Sequence, residues 1–387
     1  MSGALHGIRI VEFTGLGPGP FAGMMLADHG ADVIRIDKIG SPVLPDGACS
    51  RSRRSLALDL KKPEAIAIAR KLCQTADAII EGYRPGVMER MGLGPDVLLA
   101  DNPRLVYGRM TGWGQYGPLA QRPGHDINYI AIAGALHGIG RKGQRPVPPV
   151  NYLADFGGGG MLLSFGMVAA LLAVKNGAPG QVVDAAMTDG TALLTAMTWG
   201  LYNGGMWEDR TGANHLDGAA HYYDTYETAD GKFISVGSIE KQFYARLLNA
   251  LGLSDDPDFT LQMDRDSWPR LKARMQAIFL TRSRDEWTAL LEGEDLCFAP
   301  VLSLEEAKSH PHNVARGTFG MIDGDVQPMP APRFSATPPQ EPVPAVTPGD
   351  NNAEILAELG FSTGEIDALH AKGVTGVPTN EKYTLFK

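Results

Sequence analysis

The chain has 387 residues, 44% of them hydrophobic and 20% charged, which is typical of a globular protein large enough for two domains. A net charge of −9 argues against general nucleic-acid binding, and three dispersed cysteines without a CxxC pair argue against disulfides and a zinc site. The N-terminus lacks the pattern of a signal peptide, and the apolar run at 161–174 is too short to span a bilayer, so neither secretion nor membrane insertion is expected.

Residues 1–200 alternate short β-type runs with helical patterns, which predicts an open α/β domain with a largely parallel sheet. The expected elements are strands at 8–13, 32–37, 77–82, 104–110 and 181–187, and helices at 21–30, 63–76 and 161–177.

The first strand is followed by a glycine-rich turn. Gly17, Gly19 and Ala22 satisfy the G-x-G-x-x-G/A pattern of dinucleotide-binding enzymes, and Asp37 lies near the distance expected of a ribose-binding acid. However, Pro18 and Pro20 lack the N–H groups that would hold a pyrophosphate, and a proline suits the first turn of a helix. The pattern alone is therefore weak evidence for NAD or FAD, because a tight connection explains it equally well.

A basic cluster, RSRR at 51–54, stands out in this acidic chain, with Lys38 before it and Lys61 and Lys62 after it. It is either a solvated loop or a phosphate site, since arginine presents a planar fork of donors to phosphate oxygens.

The pattern changes near residue 220. We predict a hairpin over 222–238, three helices within 241–294 and a strand at 297–303, which together form a smaller α+β unit. Eight prolines at 328–348 predict an extended arm, followed by a helix at 351–360. The expected division is a large domain (1–200), a linker (201–220), a small domain (221–315) and a return arm with a C-terminal helix packing on the large domain (316–387).

Three residues are candidates for acid–base chemistry. His125 is one because histidine side chains in general can take or return a proton near neutral pH, although a lone histidine is more often structural. Asp155 precedes four glycines and an apolar helix; it is either an N-cap or an ionised carboxylate beside a backbone that a ligand approaches closely. Glu240 follows a predicted strand and precedes a helix, where it either caps that helix or orients a histidine ring. No metal-binding or nucleophile-elbow motif is present.

Taken together, these stretches resemble the α-methylacyl-CoA racemases, a branch of the family III CoA-transferase superfamily. The resemblance runs from about residue 5 to residue 362 through GPGPFA, ADVIRID, RRSLALDLK, RPGVMERMGLGP, MTGWGQYGP, GHDINYIA, LADFGGG, GQVVDAAM, YYDTYE, VGSIE and PMPAPRF. It implies an acyl-CoA thioester substrate, no further cofactor and no metal. It also implies an interlocked homodimer with the active site between the large domain of one subunit and the small domain of the other.

The resemblance also implies roles for individual residues. His125 and Asp155 match the catalytic pair, and Glu240 matches the carboxylate that partners the histidine across the subunit interface. The matched substrate and CoA contacts are Lys38, Ala57, Leu58, Asp59, Leu60, Gly124, Asp126, Ile127, Asn128 and Tyr129; we add Arg84 and Arg90. Backbone N–H groups beside Asp126 or in the glycines after Asp155 are candidate donors to the enolate oxygen.

The chain departs from this family at three positions. His221 and Lys241 stand where proline is usual, which leaves the acyl specificity open among branched fatty acids, sterol side chains and aryl-propionates. Lys38 replaces arginine and loses its bidentate fork.

The competing interpretation is a transferase in which Asp155 is a covalent nucleophile. The final residues, YTLFK, carry no peroxisomal tripeptide, so a cytoplasmic location is expected.

Overall fold

The structure is a computed structural model that describes residues 3–13, 15–41 and 47–376. The chain divides into two compact units. The first comprises Met1–Ala133, Val150–Leu194 and Val314–Lys387, and the second comprises Gly134–Pro149 and Thr195–Asn313. The division expected from sequence had assigned residues 134–149 to the large domain and treated 201–220 as a linker. The final residues 377–387, including YTLFK, lie outside the described part.

The first unit contains a six-stranded parallel sheet in the order β3-β2-β1-β4-β5-β6. Its strands are β1 (Arg9–Phe13), β2 (Asp32–Lys38), β3 (Arg54–Leu58), β4 (Ala78–Glu81), β5 (Val106–Thr111) and β6 (Gln181–Ala186). Five were predicted, but β3 was missed because it begins within the basic cluster and reads as a loop. This strand order reverses direction between β1 and β4, and in open α/β sheets ligands bind at such a point, beyond the carboxyl ends of the strands.

The helices around this sheet are α1 (Pro18–Asp28), α2 (Gly47–Ser50), α3 (Pro63–Gln74), α4 (Val87–Arg90), α5 (Pro95–Asp101), α6 (Asp126–Ile132), α7 (Leu162–Lys175) and α8 (Met187–Leu194). Helix α3 illustrates how the sequence determines such an element. Pro63 occupies its first turn, and Ala65, Ile68, Ala69 and Leu72 recur on one face and are buried in the core.

A π-helix, Tyr152–Met161, runs directly into α7, so this helical stretch is longer than predicted. Its 24 residues, Tyr152–Lys175, are long and apolar enough to cross a membrane by length and composition alone. However, the stretch packs within the first unit: Leu163 and Met167 are buried beside Gly108 of β5, where an added Cβ would lie 2.5 Å from the Met167 sulfur. Such packing is typical of a core helix.

The glycines after Asp155 serve this packing. A Cβ on Gly158 would lie 2.6 Å from the Thr191 nitrogen, and one on Gly160 would lie 2.7 Å from the Phe21 ring. The expectation that the glycines admit a ligand is therefore wrong for Gly158, Gly159 and Gly160, which are buried and where neighbouring helices occupy the space. Their N–H groups also lie inside a continuous helix, which removes them as donors to an enolate.

The second unit contains a three-stranded antiparallel sheet formed by β7 (Tyr223–Glu227), β8 (Phe233–Gly237) and β9 (Phe298–Pro300). The hairpin prediction is confirmed, with Tyr223 opposite Gly237. The accompanying helices are α9 (Ala196–Asn203), α10 (Lys241–Ala250), α11 (Trp268–Phe279), α12 (Arg284–Leu291) and α13 (Leu304–Ala307), with 3-10 turns at Leu136–Gly138 and Pro257–Thr260. Helix α14 (Pro311–Arg316) begins in the second unit and ends in the first.

His221 lies in the core of this unit, and its side chain is buried. The Tyr244 hydroxyl donates to the Phe259 carbonyl at 3.0 Å, so it accepts a hydrogen bond from His221 Nε2 at 2.7 Å. Nδ1 has no partner in the described part of the chain. Burial lowers the pKa of His221 to about 4. This departure from the family is therefore a core feature of the second unit.

The buried imidazole predicts a pH dependence of stability. Between pH 6.5 and 4 the unfolded chain binds a proton that the folded chain excludes, so the free energy of unfolding falls over this range by up to about 3 kcal/mol. Above pH 6.5 both states are neutral at this site and the contribution is complete. Urea unfolding at pH 7 and pH 4.5 should show a smaller loss for His221→Gln than for wild type. Equal losses would contradict this assignment.

The C-terminal segment belongs to the first unit. After the hairpin of β10 (Phe319–Ile322) and β11 (Asp325–Pro328), the proline-rich stretch leads to α15 (Asn352–Glu358) and α16 (Thr363–Ala371). Ile355 and Leu356 are buried in the same core as Leu56 and Leu58. In addition, the Asn352 amide oxygen accepts a hydrogen bond from the Ala57 N–H at 2.8 Å.

Candidate active site

The turn after β1 lies where the strand order reverses, and a carboxylate faces it. Gly17 has φ 72°, and a Cβ there would lie 3.5 Å from Asp155 Oδ2. A carboxylate at this place repels a pyrophosphate. Asp37 is buried and accepts a hydrogen bond from the Ser55 hydroxyl, so it is not presented to a ribose. The turn therefore does not fit a dinucleotide.

Asp155 is the fourth residue of the π-helix, so the N-cap interpretation is wrong. Asn151, one turn earlier, donates its side-chain N–H to Asp155 Oδ2 at 3.1 Å. Burial raises the pKa of Asp155, and the charge of Asp126 raises it further, against the Asn151 hydrogen bond and the charge of His125. A carboxyl group whose pKa is moved towards neutrality suits both the acceptance and the return of a proton.

Asp126 ties α6 to the segment that carries Asp155. Its side chain is buried, and its Oδ2 accepts hydrogen bonds from the Ala154 N–H at 2.6 Å and the Asp155 N–H at 2.9 Å. Its Oδ1 is buried and has no partner among the residues described. The carboxylate is thus engaged with the protein backbone.

His125 precedes α6 at the N-cap position and is exposed. Its backbone N–H donates to the Asn128 side chain at 3.0 Å. Tyr129 is buried, packs edge-to-face against Trp113 and donates its hydroxyl to the Gly124 carbonyl. Burial, together with the charge of Asp155, raises the pKa of Tyr129 to about 12. Asn128 and Tyr129 therefore support the segment that presents His125, while Ile127 is exposed.

Glu240 lies in the second unit at the N-cap position of α10, and its side chain is exposed. It makes no capping hydrogen bond to the described chain, so the capping interpretation is wrong and the carboxylate is presented to the exterior. Gln262 is buried and donates to the Ile239 carbonyl at 2.8 Å and the Ser238 carbonyl at 3.3 Å. These bonds fix the backbone immediately before Glu240.

The expected CoA contacts follow neighbouring strands at one edge of the sheet. Lys38 ends β2, Asp59 and Leu60 follow β3, and Arg84 follows β4, with Arg90 at the end of α4. Lys38, Arg84 and Arg90 are exposed, and Asp59 and Leu60 are half-buried. Because the carboxyl ends of parallel strands share an edge, these side chains lie on the side of the sheet that holds Gly17.

Ala57 and Leu58 differ from this group. Their side chains are only 2% and 1% exposed, and Leu58 is part of the same buried core as Leu56. Any contact that they make with CoA would have to use backbone atoms, and the Ala57 N–H is already bonded to Asn352.

The basic cluster precedes β3 and is bound internally. Arg51 pairs with Asp28 at 2.6 Å, Arg53 with Glu12 at 2.5 Å, and Arg54 with Asp32 at 2.7 Å. Arg51 and Arg53 are buried, and Glu358 also pairs with Arg54. The phosphate interpretation of these arginines is therefore wrong, because carboxylates of the fold already neutralise them.

The sequence did not indicate two side chains that support candidate site residues, Asn151 beside Asp155 and Gln262 beside Glu240. Asn151 lies four residues before Asp155, a spacing that places side chains on one helix face and could have indicated it. Gln262 lies too far along the chain from Ser238 and Ile239 to be found by any local pattern. In residues 3–13, 15–41 and 47–376, no group of three or more His, Cys, Asp or Glu side chains is arranged to hold a metal ion.

Comparison with known proteins defines the class. The chain matches CoA-transferase family III over residues 5–349, and it belongs to that family. A solved structure of a CaiB/BaiF family protein from Brucella suis has a TM-score of 0.79 and 25% identity, with coverage of 93% of this chain and all of that one.

Within the family, the chain is similar to two proteins named alpha-methylacyl-CoA racemase. It is 45% identical to the mouse protein over 372 residues, which is 95% of this chain and 96% of the mouse protein. It is 44% identical to the human protein over 373 residues, with the same coverage of both chains.

Proposed function

We propose that this protein is an isomerase that interconverts the (2R) and (2S) forms of 2-methylacyl-CoA thioesters. The observation that carries the proposal is that Asp155 lies beside Gly17 in the turn after β1 and within range of the His125 charge, in a chain 45% identical to a protein named alpha-methylacyl-CoA racemase. The charge of His125 lowers the pKa of Asp155 against the effect of burial, so these two groups lie close enough to serve one site.

Racemisation requires that a proton leave one face of the α-carbon and another arrive on the opposite face. One base takes the α-proton as the C–H bond breaks, and the electron pair moves into the thioester carbonyl to form an enolate. The conjugate acid on the other side then donates its proton as the C–H bond re-forms. His125, partnered by Glu240, and Asp155 fill these roles, and by family analogy His125 serves the 2S face. CoA is part of the thioester substrate, and the proposed scheme uses no other cofactor.

CoA is proposed to bind along the carboxyl edge of the sheet. Lys38, Arg84 and Arg90 supply positive charge there for its phosphates, with Asp59 and Leu60 beside them. Since Arg51, Arg53 and Arg54 are already paired with carboxylates, the affinity for CoA is proposed to depend on the three exposed cations.

The active unit is proposed to be a homodimer. Met161, Phe165, Val168 and Leu172 form an exposed apolar stripe along the long helix, at spacings of four, three and four residues. A stripe of this size on a protein in water is typical of a subunit interface. In the proposed dimer, Glu240 of one subunit partners His125 of the other.

Complementation tests this sharing. Differently tagged His125→Ala and Glu240→Gln chains would be co-expressed and the heterodimer purified. It should recover about half the wild-type activity, because one of its two sites then holds both native side chains. Each homodimeric variant serves as the control. An inactive heterodimer would mean that Glu240 acts on the histidine of its own chain.

The proposed reaction is tested in D2O with one epimer of a 2-methylacyl-CoA and a free carboxylic acid as a possible acceptor. Deuterium at the α-position, together with the second epimer and no new acyl-CoA, is the expected result. Transfer of CoA to the added acid without α-exchange would make Asp155 a nucleophile and establish the transferase alternative, which the family as a whole also includes.

A further inference from the structure

Asp126 is the first residue of α6 and directly follows His125, and its carboxylate reaches the segment that bears Asp155. A single oxygen, Oδ2, accepts two backbone hydrogen bonds, from Ala154 at 2.6 Å and from Asp155 at 2.9 Å. The side chain is 4% exposed. Charge-assisted bonds of this kind are stronger and shorter than neutral ones, so they hold the two segments in register.

We infer that Asp126 is the positioning residue that sets the separation of the two proton-transfer groups. This inference deepens the proposed racemase function and rests on it. His125 is covalently adjacent to Asp126, and Asp155 carries one of the two N–H groups that Asp126 binds. One carboxylate therefore connects both groups, although they are 30 residues apart in the sequence.

This role differs from the substrate contact that the family resemblance implies for Asp126. The oxygen that would receive a substrate N–H or O–H is already shared by two backbone amides, and the side chain is buried. The remaining oxygen is also buried, and no described residue bonds to it. Its charge lies next to Asp155, so Asp126 influences both the position and the proton affinity of that carboxyl group.

Two substitutions separate these effects. Asp126→Ala removes the acceptor, so kcat should fall by about 100-fold or more with little change in KM, because a misplaced base slows chemistry without altering CoA contacts. Asp126→Asn keeps an oxygen that can accept both N–H groups, so kcat should stay within about tenfold of wild type. The loss of the negative charge should also lower the pKa of Asp155. When the reaction runs from the epimer whose α-proton Asp155 removes, the acidic limb of the pH–rate profile should therefore move to lower pH.

The control is Asp96→Asn, which removes an exposed carboxylate from the first turn of α5. It should leave kcat, KM and the pH profile at wild-type values. All variants would first be compared by circular dichroism to establish that they are folded.

A measurement without substrate keeps the inference independent of the reaction. Hydrogen–deuterium exchange of the peptide spanning residues 152–161 should be faster in Asp126→Ala than in wild type and close to wild type in Asp126→Asn. Unchanged exchange in Asp126→Ala would overturn the inference, as would a rise in KM with unchanged kcat, which indicates a substrate contact. If wild-type protein failed to racemise any 2-methylacyl-CoA, the proposed function would fall, while the exchange result would still decide whether Asp126 holds Asp155.

Discussion

Replacing Asp155 with asparagine is expected to lower racemisation of a 2-methylacyl-CoA by about 1,000-fold while the protein stays folded. Asparagine has nearly the same shape, and its amide oxygen can still accept the hydrogen bond that Asn151 donates to Asp155 Oδ2. What it loses is the ability to take up or release a proton. The substitution therefore removes one of two bases and leaves the other in place.

Isotope exchange makes this prediction specific to a two-base scheme. In Asp155→Asn, His125 should still remove the α-proton from its own enantiomer, so deuterium should enter that epimer without inversion. His125→Ala should also largely abolish racemisation, with the opposite result: exchange should persist only in the epimer served by Asp155. Chiral analysis of the acyl group and mass spectrometry report both quantities.

Two outcomes would contradict the scheme. Near-normal racemisation by either variant would show that its side chain is dispensable. Loss of exchange from both epimers in Asp155→Asn, together with loss of CoA transfer to an added acid, would instead identify Asp155 as a nucleophile.

Gly190→Ala is expected to destabilise the protein by about 3 kcal/mol, because it overpacks the contact between α8 and the π-helix. A Cβ at this position would overlap the Gly158 carbonyl oxygen, and the neighbouring Thr191 is itself buried against Gly158. Since both sides of the contact are backbone, no side-chain rotation relieves the overlap. The displaced π-helix carries Asp155, so activity should fall together with stability.

Thermal unfolding would measure the effect, with Gly364→Ala as the matched control. Gly364 lies in the first turn of α16, is exposed, and has open space where a Cβ would be added. The Gly364→Ala variant should unfold at or slightly above the wild-type temperature, because alanine has a higher helix propensity than glycine. A Gly190→Ala protein as stable as this control would show that the two helices separate easily.

The departure at His221 shows how local and tertiary information differ. In sequence it stands near Glu240 and in place of a proline, which placed the acyl specificity in doubt. In the structure it is buried and bonded to Tyr244, 23 residues further along the chain. Its expected consequence is therefore a dependence of stability on pH, which no local pattern indicates.

The sequence by itself determined the elements whose signals are local: five parallel strands, the hairpin turning at residues 229–231, the amphipathic helices, and the order of the motifs that place the chain in its family. Hydrophobic periodicity and proline and glycine positions are sufficient for these, because backbone geometry repeats every two or 3.6 residues.

Only the tertiary structure decided which charged side chains are already bonded to other parts of the protein. In the sequence, Arg51, Arg53 and Arg54 resemble a phosphate site, but the fold pairs them with Asp28, Glu12 and Asp32. The same holds for Asp126, whose amide partners lie 28 and 29 residues away. A buried charge requires a partner, and the fold supplies that partner from distant parts of the chain.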